Sequence, residues 1–282
     1  MPARIIFAVL TLLAAPRPGL AGEEPRRAAG IISEDTVWSG TVFAVGRTVV
    51  KRGATLTILP GTTIRFLWSD VDGNRIGDGE LNVEGKLIAR GTPQKMITFT
   101  SDRKNPGRKD WTYVILSMNR ESVVEHCLFE YAFTGLQVHL STAVIRDNIF
   151  RGNFEGLRFS TSDLLVEHND FRGNTYGIRY ESRGSETTIA GNDISGNEYA
   201  FFPVVRNTSE VKIVNNAIAS TGYNVKMGQQ QSEALDFRSN WWGSARPSVI
   251  EEGFFDGRRD GTLGRVLYEP FLMAPPEGAG RR

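Results

Sequence analysis

Between Val123 and Trp242 the chain repeats one order of residues six times: an apolar position, two mostly polar ones, Asn or Cys, a spacer, then Phe, Ile or Trp. The anchors are Cys127, Asn148, Asn169, Asn192, Asn216 and Asn240, at intervals of 21, 21, 23, 24 and 24 residues. Short β-branched and aromatic runs carry the repeat, and no apolar stripe of helical period accompanies it. The pattern therefore predicts stacked coils of strand, a parallel β-solenoid. Earlier strands are expected at 41–45, 48–51, 55–59 and 63–67, set apart by Gly46, Gly53 and Gly61, and again at 80–89, 96–101 and 111–117.

Aligned on the Asn column, further columns emerge. Asn153, Asn174 and Asn197 form a second polar column, with Ala132 and Thr221 at its ends. Stacked amides at successive bends can bond one another and the turn backbone, and Asn tolerates the left-handed conformation a sharp bend requires. Gly135, Gly156 and Gly177, then Ala200, mark a tight bend where a side chain would obstruct. Leu136, Leu157, Ile178, Phe201 and Val225 come next and should point inward, each about 4.8 Å from its counterpart. All these columns read as structural.

The expected division is an export signal at 1–21, a lead-in or cap at 22–34, a parallel β-helix of about ten coils at 35–243, a cap at 244–272 and a polar tail at 273–282. A solenoid exposes its core at both ends, so Asn240-Trp241-Trp242-Gly243 and the cap after it are expected to cover one of them.

The run VKRGATLTILPGTTIRF, the phrase GELNVEGKLIARGT, the repeats NIFRGNFEGLRF and NDFRGNTYGIRY, and the closing NWWG resemble the right-handed parallel β-helix proteins of bacteria. That broad family includes polysaccharide lyases and hydrolases, carbohydrate-binding modules, and the periplasmic copper-site maturation protein of the nitrous oxide reductase system. The resemblance spans nearly all of 35–272 and implies the fold. It rests on turn and core residues, so it implies no single activity.

Composition narrows the setting. Arg4, the apolar run 5–15 and Gly19-Leu20-Ala21 have the layout of a secretory signal cleaved near Ala21. The run is too short to span a bilayer, which takes roughly 20 residues, so the mature chain is expected in the periplasm or secreted. Without residues 1–21 the chain carries 31 basic and 32 acidic residues, a formal −1, with the two signs interleaved, so nucleic acid is not an expected partner. The single Cys127 holds an Asn position of the repeat and reads as a buried small residue.

Parallel stacking turns outward columns into ladders. Glu125, Arg146 and Glu167 share one, and His126, Asp147 and His168 the next. The latter offers two imidazoles and a carboxylate to a divalent transition metal, although roughly 9.6 Å between the His backbones is wide. Glu125 and Glu167 fall near the roughly 6.5–9.5 Å of an inverting glycosidase pair, but Arg146 between them would hold both ionised when one must act as acid. Alternating charges on an exposed ladder are the plain alternative. On the strand after the Gly column, Arg158 and Arg179 form a basic stripe near His139 and Glu181, suited to an anionic sugar or phosphate. Tyr176, Tyr199 and Tyr223 stand beside it, as a platform for sugar rings or as rings stacked within the turn.

Asp70, Asp72, Asn74 and Asp78 occupy positions 1, 3, 5 and 9 of a calcium-type loop, but Arg75 stands where Gly belongs and Glu80 falls one short. An ordinary Asp- and Gly-rich turn fits equally well. The resulting expectation is an exported, non-catalytic binding or scaffold protein that contacts polysaccharide or another surface component and requires no cofactor, with structural calcium as the one candidate ion. A polysaccharide lyase or hydrolase using Glu125, His126, Asp147, Glu167 and His168 is the first alternative. A periplasmic metal-handling protein is the second, although soft ligands are few: one Cys and five Met.

Overall fold

The computed structural model describes residues 26–208 and 210–282. The expected export signal lies outside these residues. The chain winds as a right-handed parallel β-helix. Each coil has three sides. The first is an eight-stranded parallel sheet that runs from Thr36–Trp38 through Ser122–Glu125, Thr142–Arg146 and Asp163–Glu167 to Lys212–Val214. The second includes Cys127–Glu130, Ile149–Arg151 and Asp170–Arg172, and the third Ala132–His139, Glu155–Ser160, Tyr176–Glu181 and Tyr199–Pro203. The second and third belong to one 17-stranded sheet.

One device turns all three corners: a residue with positive φ, then a small and mostly polar residue facing inward. From first side to second the turning residues are His126, Asp147, His168, Gly191, Asn215 and Ser239, with φ of 48–65°. From second to third they are Tyr131, Gly152, Gly173 and Gly196, and from third to first Met118, Leu140 and Thr161. The residue after each is the ladder member. Asn148, Asn169, Asn192, Asn216 and Asn240 are fully buried. Asn169 Nδ2 donates to Ile145 O on the preceding coil and to Asn192 Oδ1 on the next, both at 2.9 Å, while its Oδ1 accepts from Asn148 N and Nδ2. Asn153, Asn174 and Asn197 repeat this at the second corner, and Asn119, Ser141 and Ser162 line the third. Corner carbonyls that would otherwise be buried and unpaired are thereby satisfied.

Between the ladders the core stacks like on like. Phe99, Phe129, Phe150 and Phe171 lie with ring centroids 4.6, 5.0 and 4.7 Å apart and nearly parallel planes. Gly135, Gly156 and Gly177 are not bends. They sit within third-side strands, and a Cβ at Gly156 would lie 2.7 Å from Gly177 O, so close packing between coils excludes a side chain there.

Arg26–Ile32 pairs in parallel with Thr41–Val50 at one end. At the other, Phe254–Phe255 pairs with Tyr223–Lys226, and Trp242, 3% exposed, packs edge-on against Phe254 at 4.9 Å. Among the described residues no helix is long and apolar enough to cross a membrane.

The ladder has a measurable consequence. Asn169→Ala removes its bonds to Ile145 O and Asn192 and orphans the Asn148 amide, which should cost about 2–4 kcal/mol. Urea unfolding should show a lowered midpoint, whereas the exposed Lys212→Ala should leave it unchanged.

Candidate functional site

His126, Asp147 and His168 share a column because each turns the same corner, and His and Asp are among the side chains that accept positive φ most readily. The structure keeps them on separate coils. Beside them, Glu125 binds Arg90 at 3.3 Å and Arg146 at 2.7 Å, which commits its carboxylate to ion pairs along the ladder instead of to acid–base work with Glu167. A second piece of chain crosses this corner. Leu272 N donates to Asn240 O, Gly280 N to Gly191 O, Arg281 N to Asp170 Oδ1 and Arg282 N to Asp147 Oδ1, while Gly278 O meets His168 Nδ1 at 3.1 Å. Residues 272–282 thus run along the corner against the direction of winding. None of these contacts was legible in the sequence.

On the third side, Glu80, Tyr113, Thr134, Glu155, Tyr176, Tyr199 and Tyr223 fall in one register. Glu155 is the residue that sequence reasoning missed. It is fully buried, accepts from Thr134 Oγ1 at 2.6 Å and pairs with Arg179, with Arg158 Nη1 3.9 Å away. Its signal was that it is an acid in a column otherwise rich in tyrosine. Arg179 is therefore largely engaged, and it also lies over the Phe202 ring at 5.5 Å. Arg158 is the freer of the two. It borders an open cleft of about 460 Å³ with Asp72, Asp78, Glu80, Tyr113 and Phe133. Burial, then the Glu80 carboxylate, pushes the Tyr113 hydroxyl up to about 12. Burial, then Arg158, pulls the His139 imidazole below its ordinary value, and Gln137 Nε2 donates to its Nε2 at 2.8 Å.

The tyrosines are half-buried and stack on one another, Tyr176 on Tyr199 at 5.2 Å and Tyr199 on Tyr223 at 6.3 Å. Lys226 Nζ lies over the Tyr199 ring at 4.6 Å. Their faces are largely occupied by neighbours, which leaves edges and hydroxyls toward solvent.

The Asp70, Asp72 and Asp78 carboxylates come within 4.8 Å of one another, the one such convergence of His, Cys, Asp or Glu groups among the described residues. The loop's own amides use them. Asp78 Oδ2 accepts from Val71 N and Ser69 Oγ, Asp72 Oδ1 from Asn74 N, and Asp70 Oδ2 from Arg75 N, while Asn74 Oδ1 accepts from Ile76 N. An all-oxygen set also suits hard cations, not copper. Cys127, the one thiol, is fully buried, and burial pushes its pKa up, away from the thiolate a metal would need. Met227 is buried in the core, Met96 is half-buried, and Met118 and Met273 are exposed. Apart from Asp70, Asp72 and Asp78, no three His, Cys, Asp or Glu side chains converge among the described residues.

The family model described as "Periplasmic copper-binding protein (NosD)" matches residues 73–249. No curated protein and no solved structure matches the chain. The family match corrects the expectation that no cofactor is required: the family's description names a metal, and the metal is copper. With the match covering well over half of its length, the chain belongs to the NosD family of periplasmic copper-binding proteins.

Proposed function

We propose that this chain is a non-catalytic β-helix of the periplasm that handles copper as cargo, meeting the ion at its open surface and exchanging it with a protein partner. The observation that carries this reading is the family match over 73–249, the coils that bear all three histidines. The geometry favours an open mode of binding. His126, Asp147 and His168 do not bring their ligand atoms together in this structure, and each imidazole can supply a single ligand and leave the remaining positions to solvent or a partner. A carrier needs that openness, because an ion held by four protein ligands leaves slowly.

The third side offers the partner surface. Arg158 at the cleft, the buried Glu155–Arg179 pair and the edges of Tyr176, Tyr199 and Tyr223 form a rigid, mixed-charge aromatic face, and aromatic and Arg side chains are those that anchor protein interfaces. Contact with polysaccharide through the same face is the second reading. It is favoured by the cleft beside Arg158 and disfavoured by tyrosine faces that stack on one another, because sugar rings pack on open faces.

Equilibrium dialysis of the mature chain against Cu(I) and Cu(II) tests the function. Copper should be retained in dialysis and stripped by gel filtration or a chelator, and a His126→Ala/His168→Ala variant should retain at least about tenfold less. The melting temperature of chelator-treated protein should match that of untreated protein, because no folding energy depends on the ion. Copper that survives gel filtration at one per chain would establish a built centre and contradict the carrier mode. No retention in dialysis would contradict the copper reading.

In a separate measurement, Arg158→Ala should weaken capture of a copper-protein partner, or of a glycan on an array, by about tenfold, as expected for an interface anchor. Its melting temperature should be unchanged, since Arg158 comes no closer than 3.9 Å to Glu155 and Arg179 keeps that carboxylate paired.

A further inference from the structure

The three histidines differ in one respect that copper chemistry uses. A metal-binding imidazole generally donates its second ring N–H to a carbonyl or carboxylate, which fixes the tautomer and aims the other nitrogen at the ion. His139 has its Nε2 occupied by Gln137, and His126 Nδ1 is buried without a partner. His168 alone has the arrangement. Its Nδ1 faces Gly278 O at 3.1 Å. A carbonyl can only accept, so Nδ1 carries the proton, and in the neutral form of the ring Nε2 is the bare nitrogen, with no hydrogen-bond partner among the described residues.

We propose that residues 276–282 act as a strap that positions His168 as the surface copper anchor of this protein, with the rest of the coordination sphere supplied from outside the chain. This rests on the copper-cargo reading above. The strap is fitted to its track. Gly280 N bonds Gly191 O at 2.9 Å, Arg281 N bonds Asp170 Oδ1 at 3.2 Å and Arg282 N bonds Asp147 Oδ1 at 3.0 Å, so three consecutive coils hold it. Gly280 has φ +93°, and a Cβ there would lie 2.6 Å from Asp170 Oδ1, so both its conformation and its closeness to the corner require glycine. The imidazole itself is seated over Gly191, where a Cβ would fall 2.7 Å from His168 Cε1. The ring is thus bounded by the bare backbone of the next coil and tethered by the strap.

The anchor is open in the sense the carrier role needs. Asp147, one coil back, has an oxygen taken by Arg282 N, and Asp170 binds Arg172 at 2.7 Å, so the neighbouring carboxylates are already partnered. Among the described residues His126 Nδ1 has no hydrogen-bond partner, from the strap or elsewhere. The charge pattern agrees with docking of this segment: Arg281 and Arg282 lie along a corner that carries Asp147, Asp170 and Asp193.

Long-range ¹H–¹⁵N correlation of ring-labelled mature protein reads the tautomer without copper. His168, identified by its loss in His168→Gln, should show protonated Nδ1 and bare Nε2. Gly280→Val, which cannot keep the strap's path, and a variant lacking 276–282 should both shift the ring toward Nε2–H. Copper retention in dialysis should fall about tenfold in both, to the level of His168→Ala. A wild-type Nε2–H tautomer, or one unmoved by both variants, would overturn the strap's role. Copper retained by the wild type and kept by His168→Ala and Gly280→Val would overturn the anchor while leaving the copper reading standing. Absence of retention by the wild type would instead remove the reading on which the anchor rests, whatever the tautomer.

Discussion

The buried amide ladder at the corners is the interaction on which the rest of this structure depends. A chain that turns three times per coil must bury corner carbonyls and N–H groups away from water, and each left unpaired would cost about 1–3 kcal/mol. The side chains of Asn148, Asn169, Asn192 and Asn216 donate to the coil before and to the coil after at once, so every coil completes the bonding of its neighbours. Stability is then shared along the stack, as in other solenoids where each repeat depends on adjacent ones.

That constraint also decides what the outside can be. Because each ladder amide must follow a residue of positive φ, the outward corner positions are restricted to residues that accept such a backbone: His126, Asp147, His168, Gly191, Asn215 and Ser239. The same set contains good metal ligands and good turn formers. A histidine at this corner thus has a structural reason to be there before any chemistry is considered, and only its surroundings separate one role from the other. His126 and His168 hold equivalent positions, but His168 Nδ1 is bonded to the segment that crosses the corner, whereas His126 Nδ1 has no partner among the described residues. The third side is freer, since its outward strand positions carry no backbone demand, and there the chain gathers Glu155, Arg158, Arg179 and the tyrosine stack.

The fold was legible because a ladder must recur once per coil, and a period of 21–24 residues with Asn at its anchor survives in sequence whatever decorates the surface. The Gly135, Gly156 and Gly177 column was legible as a place without room for a side chain, but not as a strand interior, because close contact and positive φ select the same residue. Glu155 escaped notice because its partners Thr134 and Arg179 lie on neighbouring coils and become neighbours only once the register is known. The strap was out of reach altogether. Its bond to His168 joins residues 110 apart in a segment with no periodicity. Copper is reachable from the sequence only through a resemblance, and the scarcity of soft ligands speaks against it. That objection applies to a closed site and has less force for a single imidazole open to a partner.

X-ray absorption at the copper edge of the loaded mature protein tests the account most directly, because it counts the ligands the chain supplies. The account predicts a sphere of light atoms with the scattering of about one imidazole, completed by exchangeable solvent or buffer, and unchanged by Cys127→Ala. A sphere containing sulfur, or one filled by three or four ligands from the chain, would contradict it and would point to a resident copper centre.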